Sequence, residues 1–191
     1  KNKIEFFSNI NNNFDLIVFS DFNYGCLTND LIKEITKIGK DRNSIMVADS
    51  QSSSQIGDIT KFKNMDLLTP TENEIRVSLK NNEDGLVVLA EKLRENSRAK
   101  NIFLKLGADG VLLHLFDKIT KAYTDRMPAL NDSPRDVAGA GDSMLISSAL
   151  SLAVGSTAIE AACIGSLAAS VQISRVGNIP LCPKDLLIKN P

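Results

Sequence analysis

The spacing of apolar and polar residues changes repeatedly along the chain, and each change marks an element. The run FDLIVFS (14–20) is short and rich in β-branched and aromatic residues, the composition of a buried strand. TNDLIKEITKIGK (28–40) instead places Leu31, Ile32, Ile35 and Ile38 at helical spacing behind Thr28, a residue suited to the N-cap. SIMVAD (44–49) predicts a second strand, and MDLLTP (65–70) a third that Pro70 stops. EDGLVVLAEKLRENS (83–97) predicts an amphipathic helix and NIFLKLG (101–107) a fourth strand. GVLLHLF (110–116) and KAYTD (121–125) read as a hairpin-like pair. Two apolar helices follow, at about 140–154 and 157–175. Thr157 and Glu160 form a capping box for the second, and Gly177 suits the position just past its end.

Strands alternate with helices through the first hundred residues. That pattern implies right-handed βαβ units and a mainly parallel sheet covered on both faces, an α/β/α sandwich. A chain of 191 residues suffices for one domain with a sizeable core and is short for two. SQSSSQ (50–55) follows the second strand, so it lies at a carboxyl end, the edge where open α/β sheets bind ligands.

Composition narrows the function classes. The chain is 43% apolar and 24% charged, with 22 basic and 23 acidic residues and a net charge of −1. No basic surplus points to nucleic acid or to an anionic membrane. The start, KNKIEFFSNINNNF (1–14), is polar and lacks the apolar core of a signal peptide. MLISSALSLAVGSTAIEAACIGSLAASVQI (144–173) is long and apolar, but Gly155, Ser156 and Glu160 divide it. Neither piece reaches the roughly 18 apolar residues of a spanning helix, so both are expected as buried core helices. Cys26, Cys163 and Cys182 form neither a C-x-x-C pair nor a disulfide framework, which fits a reducing compartment, the cytoplasm. Cys163, inside an apolar helix, reads as a packing residue. His114, the only histidine, lies in VLLHLF and reads as a satisfied core or edge-strand residue. EKLRENSRAK (91–100) reads as a solvated helix face.

The chemistry concentrates in DVAGAGDSM (136–144). Two readings stand. In one, Gly139, Ala140 and Gly141 form a tight turn and Asp142 caps the helix behind it. In the other, the small residues let backbone N–H groups and the positive end of that helix approach a phosphate. Asp142 is then the base that takes a proton from an attacking hydroxyl. Neither a P-loop nor a G-x-G-x-x-G motif is present. Lys105 ends the fourth strand, where it can meet phosphate or stay solvated. Asp21 and Asp49 end strands on the presumed ligand edge, where they can serve Mg²⁺, phosphate or sugar, or cap loops.

The motif has company. DVAGAGDSM resembles the D-T-x-G-A-G-D-x-F signature of the ribokinase (PfkB) family of sugar kinases. LLTPTENE (67–74) resembles the family's T-P-N-x-x-E segment, LKLGADGV (104–111) its nucleotide-lining strand and G-x-x-G turn, and SRVGNIPLCP (174–183) its closing segment. The resemblance implies a ribokinase-like three-layer fold. It also implies ATP-dependent phosphoryl transfer to a sugar or sugar-phosphate hydroxyl, with Asp142 as catalytic base and Gly139, Ala140 and Gly141 as anion hole. On it, Lys105, Gly107, Gly110 and Ser166 line the nucleotide, Ser166 standing where many members carry Asn near the adenine. Glu74 serves Mg²⁺ and phosphate positioning, and Asp136 orders the turn or neighbours a monovalent cation. Within the family, VFSDFNYGCLTNDLI (18–32) and MVAD (46–49) are most similar to the heptose-7-phosphate kinase domain of bifunctional heptose kinase/adenylyltransferases.

Departures from the pattern carry their own expectations. Thr71 replaces the Asn of T-P-N-x-x-E, Ser50 and Gln51 replace a Pro-Lys pair, and Val137 and Ala138 replace the Thr pair before the glycines. These losses leave open a binding module without transfer chemistry, or a half that needs a partner front segment. The resemblance begins well inside the family's fold, just before DLIVFSD, so most of the acceptor pocket and lid is absent. The 191 residues alone are expected to turn over little sugar. The sheet edge left open favours self-association, for example as a homodimer.

Overall fold

The structure, a computed structural model, describes residues 14–52, 55–117 and 119–187. The stretch 1–13, read above as lacking a signal peptide, and residues 53–54 of the loop after the second strand lie outside the described residues.

Six strands form one sheet in chain order: β1 (Leu16–Asp21), β2 (Ile45–Ser50), β3 (Leu67–Leu68), β4 (Asn101–Lys105), β5 (Val111–Asp117) and β6 (Lys121–Met127). β1 to β4 run parallel, and β5 and β6 add antiparallel. The register pairs Ser20 with Asp49 and Asp21 with Ser50, so the carboxyl ends of β1 and β2 are level. The sheet is mixed with a parallel core, as the alternating pattern predicts.

Helices cover both faces. α1 (Asn29–Asp41), α2 (Glu72–Leu79) and α3 (Leu86–Ser97) lie on one side, where Ile32, Ile35, Ile75, Leu89 and Leu93 pack with Met46, Ala48, Leu68 and Ile102. α4 (Ala140–Ala153) and α5 (Ala158–Ile173) lie on the other, where Met144, Leu145, Ala149 and Ala161 pack with Val47, Leu67 and Phe103. Successive residues of β2 therefore serve opposite cores, which is why its sequence runs apolar without alternation. Full burial of a side chain such as Phe103 or Leu67 contributes about 1.5–3 kcal/mol. α4 and α5 interlock closely: Ser148 Oγ donates to Ala161 O at 3.0 Å, and a Cβ added to Gly165 would stand 2.1 Å from that hydroxyl.

Capping follows the sequence where the chemistry is local. Thr28 caps α1 through Leu31 N–H, and Thr157 with Glu160 forms the capping box of α5. Four readings are corrected. The third strand shrinks to two residues, because Thr69 and Pro70 turn into the site described below. The helix α2 goes unforeseen, although Thr71-x-x-Glu74 is its capping box. α5 ends at Ile173 with Ser174 as its C-cap, so Gly177 lies in the following loop. Cys163 is exposed rather than packed; α5 is apolar on all sides, so spacing alone cannot say which side meets the core. His114 is buried, its ring bonded to Thr124 Oγ1 at 2.8 Å and Glu91 Oε2 at 2.6 Å. Glu91 is thus an exception in the stretch read as a solvated face. Among the described residues, no helix is long and apolar enough to cross a membrane.

Candidate active site

The carboxyl ends of β2 and β4 and the amino end of α4 converge on one edge of the sheet. The turn before α4 is held from below. Asp136 Oδ1 accepts from Ala138 N–H at 3.0 Å and its Oδ2 from Gly177 N–H at 2.9 Å. These two bonds hold its carboxyl below the usual range. Gly139 then takes φ +77° as the N-cap, with Asn178 packed so close that a Cβ would meet its Oδ1 at 2.1 Å. Only glycine fits both conditions.

The first turn of α4 supplies donors. Ala140 N–H turns back to Val137 O at 3.3 Å. The N–H groups of Gly141 and Asp142 find no acceptor among the described residues, as expected for a helix start, and carry the positive end of its dipole. Asp142 is half-buried, and its Oδ1 accepts from Gln51 Nε2 at 3.1 Å. Gln51 is fixed in turn by its own N–H, which donates to Asp21 O at 2.9 Å. The next residue, Ser52, donates its N–H to Glu74 Oε1 at 3.2 Å. Two consecutive residues after β2 thus link Asp142 to Glu74.

Beneath the α4 start lies a buried ion pair. Lys105 Nζ donates to both oxygens of Asp49 at 3.0 and 3.1 Å, and Thr69 Oγ1 donates to Asp49 at 3.2 Å. The two side chains are 15% and 2% exposed. Burial pushes the Asp49 carboxyl above its usual range; the Lys105 charge opposes this and the Glu74 charge adds to it. A Cβ at Gly141 would stand 3.3 Å from Lys105 Nζ, so the small residue lets the ammonium lie close under the helix start. Lys105 is therefore neither solvated nor loose. The pairing escaped sequence reading because partners 56 residues apart carry no local signal.

A cleft of about 470 Å³ opens beside this pair, lined by Lys105, Gly107, Gly110, Ala140, Gly141 and Ser166 among others. Gly107 and Gly110 have φ of +60° and +85°, and a Cβ at Gly110 would meet Met127 O at 2.1 Å. The turn can therefore only be built with glycine at 110. Ser166 Oγ is buried and has no hydrogen-bond partner among the described residues. A ligand edge bearing a donor or acceptor would satisfy it. The structure brings together the six residues named for the cleft and sets Asp142 beside them on α4.

The residues expected at metals stand differently. Both oxygens of Glu74 accept backbone N–H groups, from Thr71 at 2.7 Å and from Ser52, and both oxygens of Asp136 do likewise. No group of three or more metal-ligating side chains occurs among the described residues. A Mg²⁺ here would take most of its ligands from phosphate and water, the usual pattern for this ion, with Glu74 reaching it at most by a spare lone pair.

The sheet edge thus carries a helix start with N–H groups that have no acceptor among the described residues, an acidic side chain in its first turn and an adjacent cleft. The chain belongs to the pfkB family carbohydrate kinases, whose model matches residues 2–185. It is 32% identical over 175 residues to the bifunctional protein HldE of Campylobacter fetus, an alignment spanning 90% of this chain and 36% of that protein. The chain thus spans about a third of the length of that relative. Phosphofructokinase-2 from Escherichia coli, solved in complex with potassium, superposes with a TM-score of 0.77 at 17% identity, covering 96% of this chain and 58% of that one. A ribokinase of Arabidopsis thaliana, complexed with ribose and ATP, gives a TM-score of 0.71 at 17% identity over 93% and 54%. The ribokinase-like α/β/α fold expected from the sequence is the fold observed.

Proposed function

We propose that the chain is the nucleotide-binding and catalytic portion of an ATP-dependent carbohydrate kinase acting on the hydroxyl of a sugar or sugar phosphate. One observation carries the reading: Asp142 shares the first turn of α4 with the N–H groups of Gly141 and Asp142, which have no acceptor among the described residues, and that turn borders the cleft holding Ser166 and the Gly107–Gly110 turn. In this reading the nucleotide base lies toward Ser166 and its phosphates run toward Gly141. The acceptor hydroxyl oxygen attacks the terminal phosphorus, its proton passes to Asp142, and the bond to the leaving diphosphate breaks. The first-turn N–H groups stabilise the charge that develops on the transferred group. Lys105, held by Asp49, adds fixed positive charge beneath it. Mg²⁺, when bound, would neutralise phosphate oxygens on the Glu74 side, and a monovalent cation near Asp136 would act only by ordering the turn.

The likeness of residues 18–32 to heptose-7-phosphate kinases makes that sugar phosphate the first acceptor to test. The reading places the protein in the cytoplasm, where ATP is available. Because the chain spans 58% and 54% of the two solved kinases, the assay belongs on the full gene product, and the 191 residues alone are expected to turn over little sugar. In that protein Asp142→Asn should lower kcat by roughly 10²–10⁴ while nucleotide binding is retained. Wild-type turnover in the variant would refute the assignment of the base.

One observation favours a second reading, a binding module without transfer. Gln51, a neutral amide, occupies the Asp142 carboxylate where the family pattern carries a cation nearby. Calorimetry with ATP and Mg²⁺ combined with a phosphorylation screen separates the two: binding without transfer to any sugar or sugar phosphate selects the module.

A further inference from the structure

On the α1 side of the sheet, a second cleft of about 600 Å³ lies between α1 and the segment around residues 58–64. Its lining is unlike that of the first. Lys33, Lys37 and Lys40 come from one side of α1, at spacings of four and three residues, and Lys61 and Lys63 come from the facing wall. Two carboxylates, Asp41 and Asp58, line it as well. The chain as a whole carries a net charge of −1, so this is a local concentration of positive charge and not a general basicity.

The five lysines are not equivalent. Lys61 is paired with Asp21, and Lys63 donates to the Asn96 carbonyl and side chain at 3.1 and 2.7 Å. Asp58 accepts from the N–H and hydroxyl of Thr60 through one oxygen, Oδ1, and keeps its negative charge at the cleft. Lys33, Lys37 and Lys40 are exposed and form no ion pair among the described residues. Like charges four residues apart on a helix repel, an effect that Asp30, Glu34 and Asp41 at i±3 and i±4 offset in part and that a bound anion would offset further.

An independent feature marks the same cleft. Thr36 sits between the lysines, is only 8% exposed, lines the cleft, and its Oγ1 has no hydrogen-bond partner among the described residues. A buried hydroxyl left unsatisfied is costly, and a χ1 rotation toward the cleft would let an oxygen-rich ligand pair with it. Lysines act as point-charge partners for phosphate, and a hydroxyl supplies a directed bond to one of its oxygens. The volume is that of a small-molecule site.

We propose that this cleft binds a small, multiply charged phosphate anion, at a site separate from the nucleotide cleft. Because Lys61 lines the cleft and also holds Asp21, whose carbonyl positions Gln51, an anion there competes with Asp21 for the same ammonium.

The test uses the 191-residue chain, inorganic tripolyphosphate as probe, and amide shifts read by NMR at ionic strength held constant with sodium chloride. The amides of Ile32, Thr36 and Lys37 should shift in a saturable way. Shifts in the first turn of α4 report the other cleft and form a separate set. Lys33→Gln/Lys37→Gln/Lys40→Gln should weaken the α1 response roughly tenfold or more and leave the α4 set in place. Thr36→Val, which keeps the shape, should weaken it about three- to tenfold. An α1 response that is absent in the wild type, or unchanged in the lysine variant, overturns the proposal. So does a single-stranded oligonucleotide that shifts the α1 amides at lower concentration than tripolyphosphate, since that selects a nucleic-acid surface.

Discussion

Glu91 shows how one residue can serve packing and charge together. It accepts two bonds from Arg94, at 2.7 and 2.6 Å, and one from the buried His114, so it ties α3 to β5 and, through Thr124, to β6. The Arg94 bonds foremost hold its carboxyl at about 2, against an ordinary 4.5. A lowered carboxyl gives stability that is present above the ordinary value and is lost as pH falls from about 4.5 toward about 2. Glu91→Gln should therefore flatten the acid limb of a plot of unfolding midpoint against pH in that window. An unchanged slope would show that the bonds carry no net stability. Asp49 has the opposite sign. Burial raises its carboxyl, so its contribution weakens as pH climbs from 3.8 through the folded value. That carboxylate is kept ionisable only by the company of Lys105 and Thr69, a pairing suited to a site and poor as a stabilising device.

At the scale of elements, the α4–α5 pair decides where the site stands. Gly165 lets the helices approach until Ser148 Oγ and the Met144 carbonyl lie where a methyl group would be. Gly165→Ala should cost about 1–3 kcal/mol by overpacking, read as a lower denaturant midpoint at constant slope. A neutral result would mean that the helices separate without penalty. The helices were legible in the sequence because their starts are chemically local: Thr28, Thr157 and Glu160 cap within a turn of themselves. α2 was not, since the TPTENE stretch read as a binding motif concealed the capping box that the same residues form. The glycine signature located the α4 start and its donors, but not that Ala140 N–H is already engaged or that Gln51 reaches Asp142 across 91 residues. Gln51 read in sequence as a lost cation; in three dimensions it is a hydrogen-bond donor to the proposed base. Side-chain partners brought together by the sheet, such as Asp49 and Lys105, leave no periodicity to read.

Across the whole molecule, the order of strands in space is the order of strands in the chain. Each strand finds its neighbour without passing another. The helices α4 and α5 break this locality. They come last among the described helices, yet α4 packs on β1 and β2, the earliest of the described strands. Locally connected pairings close their loops at lower entropic cost and tend to form sooner. Pulse-labelled hydrogen exchange during refolding should therefore protect the β2 and β4 amides before those of Leu145 and Ala149 in α4. Simultaneous protection would instead mean one concerted step. If the order holds, the chain acquires its sheet, the Asp49–Lys105 pair and the α1 cleft while Asp142 is still distant, and the anion-binding turn is the last thing that folding delivers.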